Sequence, residues 1–267
     1  MNEPAIEIRG LQVRARRRPL LTVERLDVAR GAFLGVLGPN GAGKSTLLET
    51  CLGLRPRAAG EVTVLGQPLN RLSLTARARL RQRIGYVPQL LAERSEIPLT
   101  VREVVAIGRS GVRGLLRPLT GDDHRIIDGW LDRLGLAELA GRGYGEVSGG
   151  EQRKTLIARA MVQQPEILML DEPTANLDLG WRERIVALVQ ELHADRRLTV
   201  ILVCHELEVL PPACGRVVVL RDGRILADGP PEAVLHDGLM EALYGPGLSV
   251  RAQAGRYLVV PGATRHA

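Results

Sequence analysis

Lysine is nearly missing from these 267 residues: Lys44 and Lys154 are the whole set, although the chain carries 36 Lys and Arg together. Almost every other cation is therefore Arg, a compositional bias rather than a functional signal. Where a lysine does occur it stands out, because a compact ammonium fits a narrow anion cradle that a forked guanidinium does not. Cysteine is also sparse. Cys51, Cys204 and Cys214 are an odd number without metal-ligand spacing, so reduced, buried or half-buried thiols are expected in place of a disulfide framework or metal centre. Long apolar runs are absent as well. Stretches such as Ile167 to Leu170 and Val200 to Cys204 fall far short of the roughly 20 residues that cross a bilayer, so no membrane span is expected. Met1 to Gly10 holds acidic and proline residues where a secretory leader needs a basic end and an apolar core, so none is expected. No internal repeat or low-complexity linker is found.

What is present is a chain that is 45% apolar, long enough to bury a substantial core as one compact unit. Its net charge of +6 is spread along the sequence with only short clusters, notably Arg14 to Arg18, and reads as a solvated surface, with no nucleic-acid partner expected. Short alternating runs at Ile6 to Val13, Leu20 to Val28 and Glu61 to Leu65 predict β-strands. Phe33 to Leu37 predicts a strand that runs through a glycine-rich loop into a helix over Ser45 to Leu54. From Thr100 to about Gln164 the spacing turns helical, with Ile126, Ile127, Trp130, Leu131 and Leu134 on one face. Two apolar strands, Ile167 to Leu170 and Leu198 to Val203, then flank a helix with Ile185, Leu188, Val189 and Leu192 on its apolar face, the pattern of a parallel α/β sheet. A hairpin at Val217 to Leu226 and a strand pair at Ser249 to Ala252 and Tyr257 to Val260 complete the reading, with the last few residues expected to be disordered.

Gly38-Pro39-Asn40-Gly41-Ala42-Gly43-Lys44-Ser45-Thr46 fits G-x-x-x-x-G-K-[ST] between a strand and a helix, the context that confirms a phosphate-binding loop. Glycines let successive N–H groups face an anion, and the helix start adds its positive dipole end. In that geometry Lys44 bridges the β- and γ-phosphates of a triphosphate and the Ser45 hydroxyl holds Mg²⁺. Asp171 and Glu172 end the Ile167 strand, where an open α/β sheet binds ligands. Asp171 is expected to reach Mg²⁺ and Glu172 to polarise the attacking water, although adjacent acids there could equally cap a following helix. Ser148-x-x-Glu151 reads by itself as a capping box for a helix over Glu151 to Val162.

With Val147-Ser148-Gly149-Gly150-Glu151-Gln152 just upstream of the acidic strand, the set resembles the ATPases of the ABC transporter family over roughly residues 6 to 235. Val147 stands where the family usually has Leu, and Glu151 where it has Gln. The resemblance implies an α/β fold: a phosphate-loop NTPase core with a parallel sheet, an N-terminal antiparallel β subdomain and an inserted helical subdomain over about 90–164. The ATPase domain would span 1–245, with a tail over 246–267. It implies ATP and Mg²⁺ as cofactors, and a homodimer in which Ser148, Gly149 and Gly150 face the γ-phosphate bound on the other protomer. Gln89 would sense Mg²⁺ and the nucleophilic water, Asp178 would cross the dimer interface, and His205 would contact the γ-phosphate. The family commonly stacks an aromatic residue on adenine; Val13 to Arg18 hold none, and Arg14 or Arg16 is the candidate in its place. Integral membrane permease subunits are implied as partners, docking around Leu90 to Arg109, at the cytoplasmic face of the membrane, with a substrate-binding protein acting through the permease. Leu99 to Arg109 and Tyr244-Gly245 resemble importers of metal ions and metal chelates. An exporter motor and a soluble ABC ATPase acting on ribosomes or nucleic acid are the competing readings.

Overall fold

The computed structural model describes residues 3–16, 18–89, 98–114, 117–194 and 198–262. In chain order the elements are β1 (Ile6–Ala15), β2 (Arg18–Val28), β3 (Phe33–Leu37), α1 (Lys44–Cys51), β4 (Ala59–Val64), β5 (Gln67–Pro68), α2 (Leu74–Gln82) and β6 (Ile84–Val87). Then come α3 (Val101–Arg113), α4 (Gly121–Arg133), α5 (Gly149–Met161), β7 (Ile167–Asp171), α6 (Leu179–Ala194) and β8 (Thr199–Cys204). The chain closes with β9 (Arg216–Arg221), β10 (Arg224–Gly229), α7 (Pro231–Val234), α8 (Asp237–Tyr244), β11 (Leu248–Gln253) and β12 (Arg256–Pro261). Two compact units form, one from residues up to Leu72 and from Val189 onward, the other from Ser73–Leu188.

In the first unit the strands run in the order β5-β4-β1-β2-β10-β9-β3-β8. β1 mostly alternates buried and half-buried residues and pairs antiparallel with both β2 and β4, so the N-terminal strands are antiparallel, as is the β9–β10 pair. β3 is different: all five of its residues are buried and it pairs parallel with β8 and β9, the continuous apolar strand of a sheet covered on both faces. β11 and β12 make a separate two-stranded sheet.

The second unit holds the parallel pair β6–β7 and the helical segment. α3, α4 and α5 each open on a complete capping box, at Thr100/Glu103, Thr120/Asp123 and Ser148/Glu151. Their buried residues, such as Val101, Val104 and Val105 on α3 and Ile127 and Leu131 on α4, form the apolar stripe. Arg109 ties these helices together: its Nε donates to Asp123 at 2.8 Å and its Nη1 to the Val162 carbonyl at 3.2 Å.

The α/β class, the parallel core strands, the antiparallel N-terminal strands and the helical segment match the sequence reading. Differences are local. The helix after the phosphate loop stops at Cys51 rather than Leu54, and α5 starts at Gly149, two residues before Glu151, because Ser148 is its N-cap. On α6, Val186 is buried and Leu188 only half-buried. The residues expected to be disordered at the C-terminus, 263–267, lie outside the described residues, as does the 90–97 part of the Leu90 to Arg109 segment. No described helix is long and apolar enough to cross a membrane. All three cysteines are buried, and burial pushes the Cys51 thiol up to about 12 and Cys214 to about 11, which leaves neither of these two a reactive thiolate.

Candidate functional site

Strand register places the functional residues of the first unit. Leu37 on β3 is aligned with Cys204 on β8, and the strands are parallel, so Gly38 and His205 leave the sheet side by side at its carboxyl edge. The loop that follows Leu37 depends on its glycines: Gly38, Gly41 and Gly43 all have positive φ, at 151°, 81° and 101°. At Gly38 a Cβ would also overlap the Leu220 carbonyl oxygen on β9, so only glycine lets the loop turn against that strand. Asn40 and Gly41 are exposed, Pro39, Ser45 and Thr46 half-buried, and Ala42 buried.

Lys44 is 5% exposed, and its ammonium donates to the carbonyls of Gly38 at 2.8 Å and Pro39 at 3.2 Å. A buried cation thus closes the loop over its own backbone. α1 begins at this lysine with Gly43 as its cap, which supplies no side-chain acceptor to the first-turn amides. Helices α2, α3, α4 and α5 are all capped by a Ser or Thr hydroxyl. α1, like the single-turn α7, has no side-chain cap, and at the glycine loop an anion is the acceptor such an end favours.

The second unit repeats the same register logic. Val87 on β6 is aligned with Leu170 on β7, so Gln89 and Glu172 emerge as neighbours, and the Gln89 amide donates to the Glu172 carboxylate at 3.0 Å. Asp171, the last residue of β7, is 3% exposed, and Glu172 is 7% exposed. Glu172 has φ 48°, a left-handed backbone uncommon for a residue with a side chain. Such strain persists where surrounding structure enforces it, and it concentrates at functional sites.

The Ser148 segment caps α5: the Ser148 N–H and hydroxyl both donate to the Glu151 carboxylate at 2.7 Å, and the hydroxyl accepts from the Glu151 N–H at 3.4 Å. These bonds, the side-chain one first, hold the Glu151 carboxyl below its usual range. Ser148 and Gly149 are exposed, whereas Gly150 is covered by Trp181, whose ring a Cβ at that position would overlap. Asp178 is exposed and accepts the Trp181 N–H at 2.9 Å, as an N-cap of α6 does. Asp178, Trp181 and the Ser148 helix start are thus brought together.

Nothing in the sequence pattern pairs Trp181 with Gly150; the contact is tertiary and no local signal marks it. Tyr244 was legible only as part of a Tyr-Gly pair, yet its hydroxyl donates to the His205 carbonyl at 3.1 Å. Arg14 and Arg16 are both exposed at the β1–β2 turn, and Arg14 donates to Gln12 at 3.3 Å.

The family model described as ABC transporter matches residues 21–175, from β2 through the acidic end of β7. The chain belongs to the ABC transporter family. Its ATPases bind and hydrolyse ATP, which fits a glycine loop built for a phosphate chain. The hemin import ATP-binding protein HmuV of Streptomyces coelicolor is 37% identical over 94% of this chain and 88% of its own length. The cobalamin import ATP-binding protein BtuD of Halobacterium salinarum is 36% identical over 92% of this chain, which spans 60% of that relative. Among solved structures, one described as an inward-facing, metal-chelate type ABC transporter superposes with a TM-score of 0.81 at 26% identity, covering 98% of this chain and 99% of that one.

Proposed function

We propose that this chain is the ATP-hydrolysing subunit of an importer of a metal ion or metal chelate, acting as a homodimer with integral membrane permease subunits. The observation that carries the import reading is the extent of the likeness. The metal-chelate type structure covers 98% of this chain, and so reaches well beyond the 21–175 segment that any ABC ATPase shares. The hemin and cobalamin names of the relatives support import over an exporter motor.

In this reading residues 1–245 are the ATPase domain, with a helical subdomain at about 90–164, and 246–267 are a tail. Gly38 to Thr46 cradle the phosphates, and Lys44 exchanges its bonds to the Gly38 and Pro39 carbonyls for phosphate oxygens. The donors assigned to Mg²⁺ are the hydroxyl of Ser45, the amide oxygen of Gln89 and the carboxylate of Asp171. They are hard oxygen groups of the kind that ion takes together with phosphates and water. Gln89 directs its NH₂ at Glu172, which turns its amide oxygen away from that carboxylate. When bound, the ion neutralises charge on the phosphates.

Glu172, held by Gln89, accepts a hydrogen bond from the attacking water and aligns it, while His205 contacts the γ-phosphate. Ser148, Gly149 and Gly150 complete the site of the opposite protomer, and Asp178 lies at that interface. The Ser148 hydroxyl engages phosphate by giving up its bond to Glu151. Arg14 or Arg16 stacks on adenine. The permease docks around Leu90 to Arg109 at the cytoplasmic face, where Ile107 on α3 exposes apolar surface, and a substrate-binding protein acts through that permease.

Co-purification with the membrane subunits and reconstitution in liposomes tests the reading. ATP hydrolysis or uptake stimulated by one metal ion or chelate from a panel is the expected result. Silence across the panel, with basal hydrolysis intact, would discard metal import and keep the ATPase.

A further inference from the structure

The C-terminal elements hold the segment that carries His205 at two points. Tyr244, the last residue of α8, donates its hydroxyl to the main-chain carbonyl of His205 itself, at 3.1 Å. Three residues further along the same segment, the Glu208 carboxylate accepts the N–H of Val259 on β12 at 3.0 Å. The circuit closes through α8, because the N–H of Val250 on β11 donates to Asp237 in the first turn of that helix at 2.7 Å. α8 is itself anchored by buried Leu239 and Met240, and between the two attachment points Leu207 is buried.

A hydrogen bond on the carbonyl of His205 fixes the orientation of the peptide plane that follows its Cα. The direction of the imidazole depends on that plane, since the side chain is 41% exposed and lies just past the end of β8. Burial raises the Tyr244 hydroxyl above its ordinary value, so it stays protonated and able to donate at neutral pH.

We propose that Tyr244 is a positioning residue, and that α8 with the β11–β12 hairpin forms a brace that aims His205 during hydrolysis. This rests on the reading of His205 as the γ-phosphate contact. It gives the β11–β12 tail a task within the reaction.

The test is ATP hydrolysis by the full chain, in steady state for the wild type and Y244F, and in single turnover for H205A and H205A/Y244F, where slow rates remain readable. Y244F keeps the ring and removes only the hydroxyl. Its kcat should fall about two- to tenfold, the range one hydrogen bond covers, with KM for ATP and the melting temperature unchanged. On the H205A background the second substitution should cause no further loss, because there is no imidazole left to aim. Wild-type kcat in Y244F, or the same fall on top of H205A, would overturn the brace. Wild-type turnover in H205A would instead remove His205 from the reaction and take both readings down, so the two failures are told apart by which single variant stays active.

Discussion

A lysine in a chain almost devoid of lysine is the residue on which nucleotide affinity should turn. The Lys44 ammonium is buried against the Gly38 and Pro39 carbonyls, and on the proposed reading it turns from these to the phosphates of ATP. Charge-assisted hydrogen bonds contribute about 1.5–3 kcal/mol each, so K44A should weaken ATP binding by roughly 10- to 100-fold. Titration of a fluorescent ATP analogue reads this directly, and unchanged affinity would show that the loop is not the site. Glu172 makes the complementary case. Its identity was legible as the second acid at a strand end, but its left-handed backbone was not, nor was its bond from Gln89, which depends on the register of β6 against β7.

At the scale of elements, capping chemistry was the most readable feature. Ser148-x-x-Glu151 was written in the sequence and forms as a full box, and Thr100/Glu103 and Thr120/Asp123 follow the same rule. The short strand β6 escaped notice because its four residues carry little pattern, and α8 because eight residues between Pro231 and Gly245 offer only two turns. Asp123 shows what a box can do beyond starting a helix. The Thr120 N–H first, then the Thr120 hydroxyl and Arg109, hold its carboxyl well below the usual carboxylate range. A carboxyl with a depressed folded pKa stabilises the protein above its ordinary value of 3.8 and loses that contribution as pH falls through the folded pKa. Thermal melts should therefore show D123N less stable than wild type at neutral pH, with the gap closing in strong acid. A gap that stays constant down to about pH 2 would mean that the bonds from Thr120 and Arg109 together do not favour the ionised carboxylate.

For the whole molecule, family membership was legible because each motif sits at the boundary its chemistry demands, loop after strand and acids at a strand end. The aligned ends of β3 and β8, and of β6 and β7, explain why residues far apart in sequence recur together: Gly38 with His205, Gln89 with Glu172. What the sequence could not offer was the tertiary packing that finishes these groups, Trp181 over Gly150 and Tyr244 on His205, since such contacts leave no periodic trace. On the proposed reading Glu172 activates water in a site completed by a second copy of the chain. Light scattering of E172Q with ATP, beside a hydrolysis assay, tests it most directly. The expected result is retained ATP binding, turnover reduced to a trace, and a species of twice the 29.1 kDa protomer mass that persists while ATP is present. A variant that hydrolyses ATP at the wild-type rate, or that binds ATP and stays at the protomer mass, would contradict it.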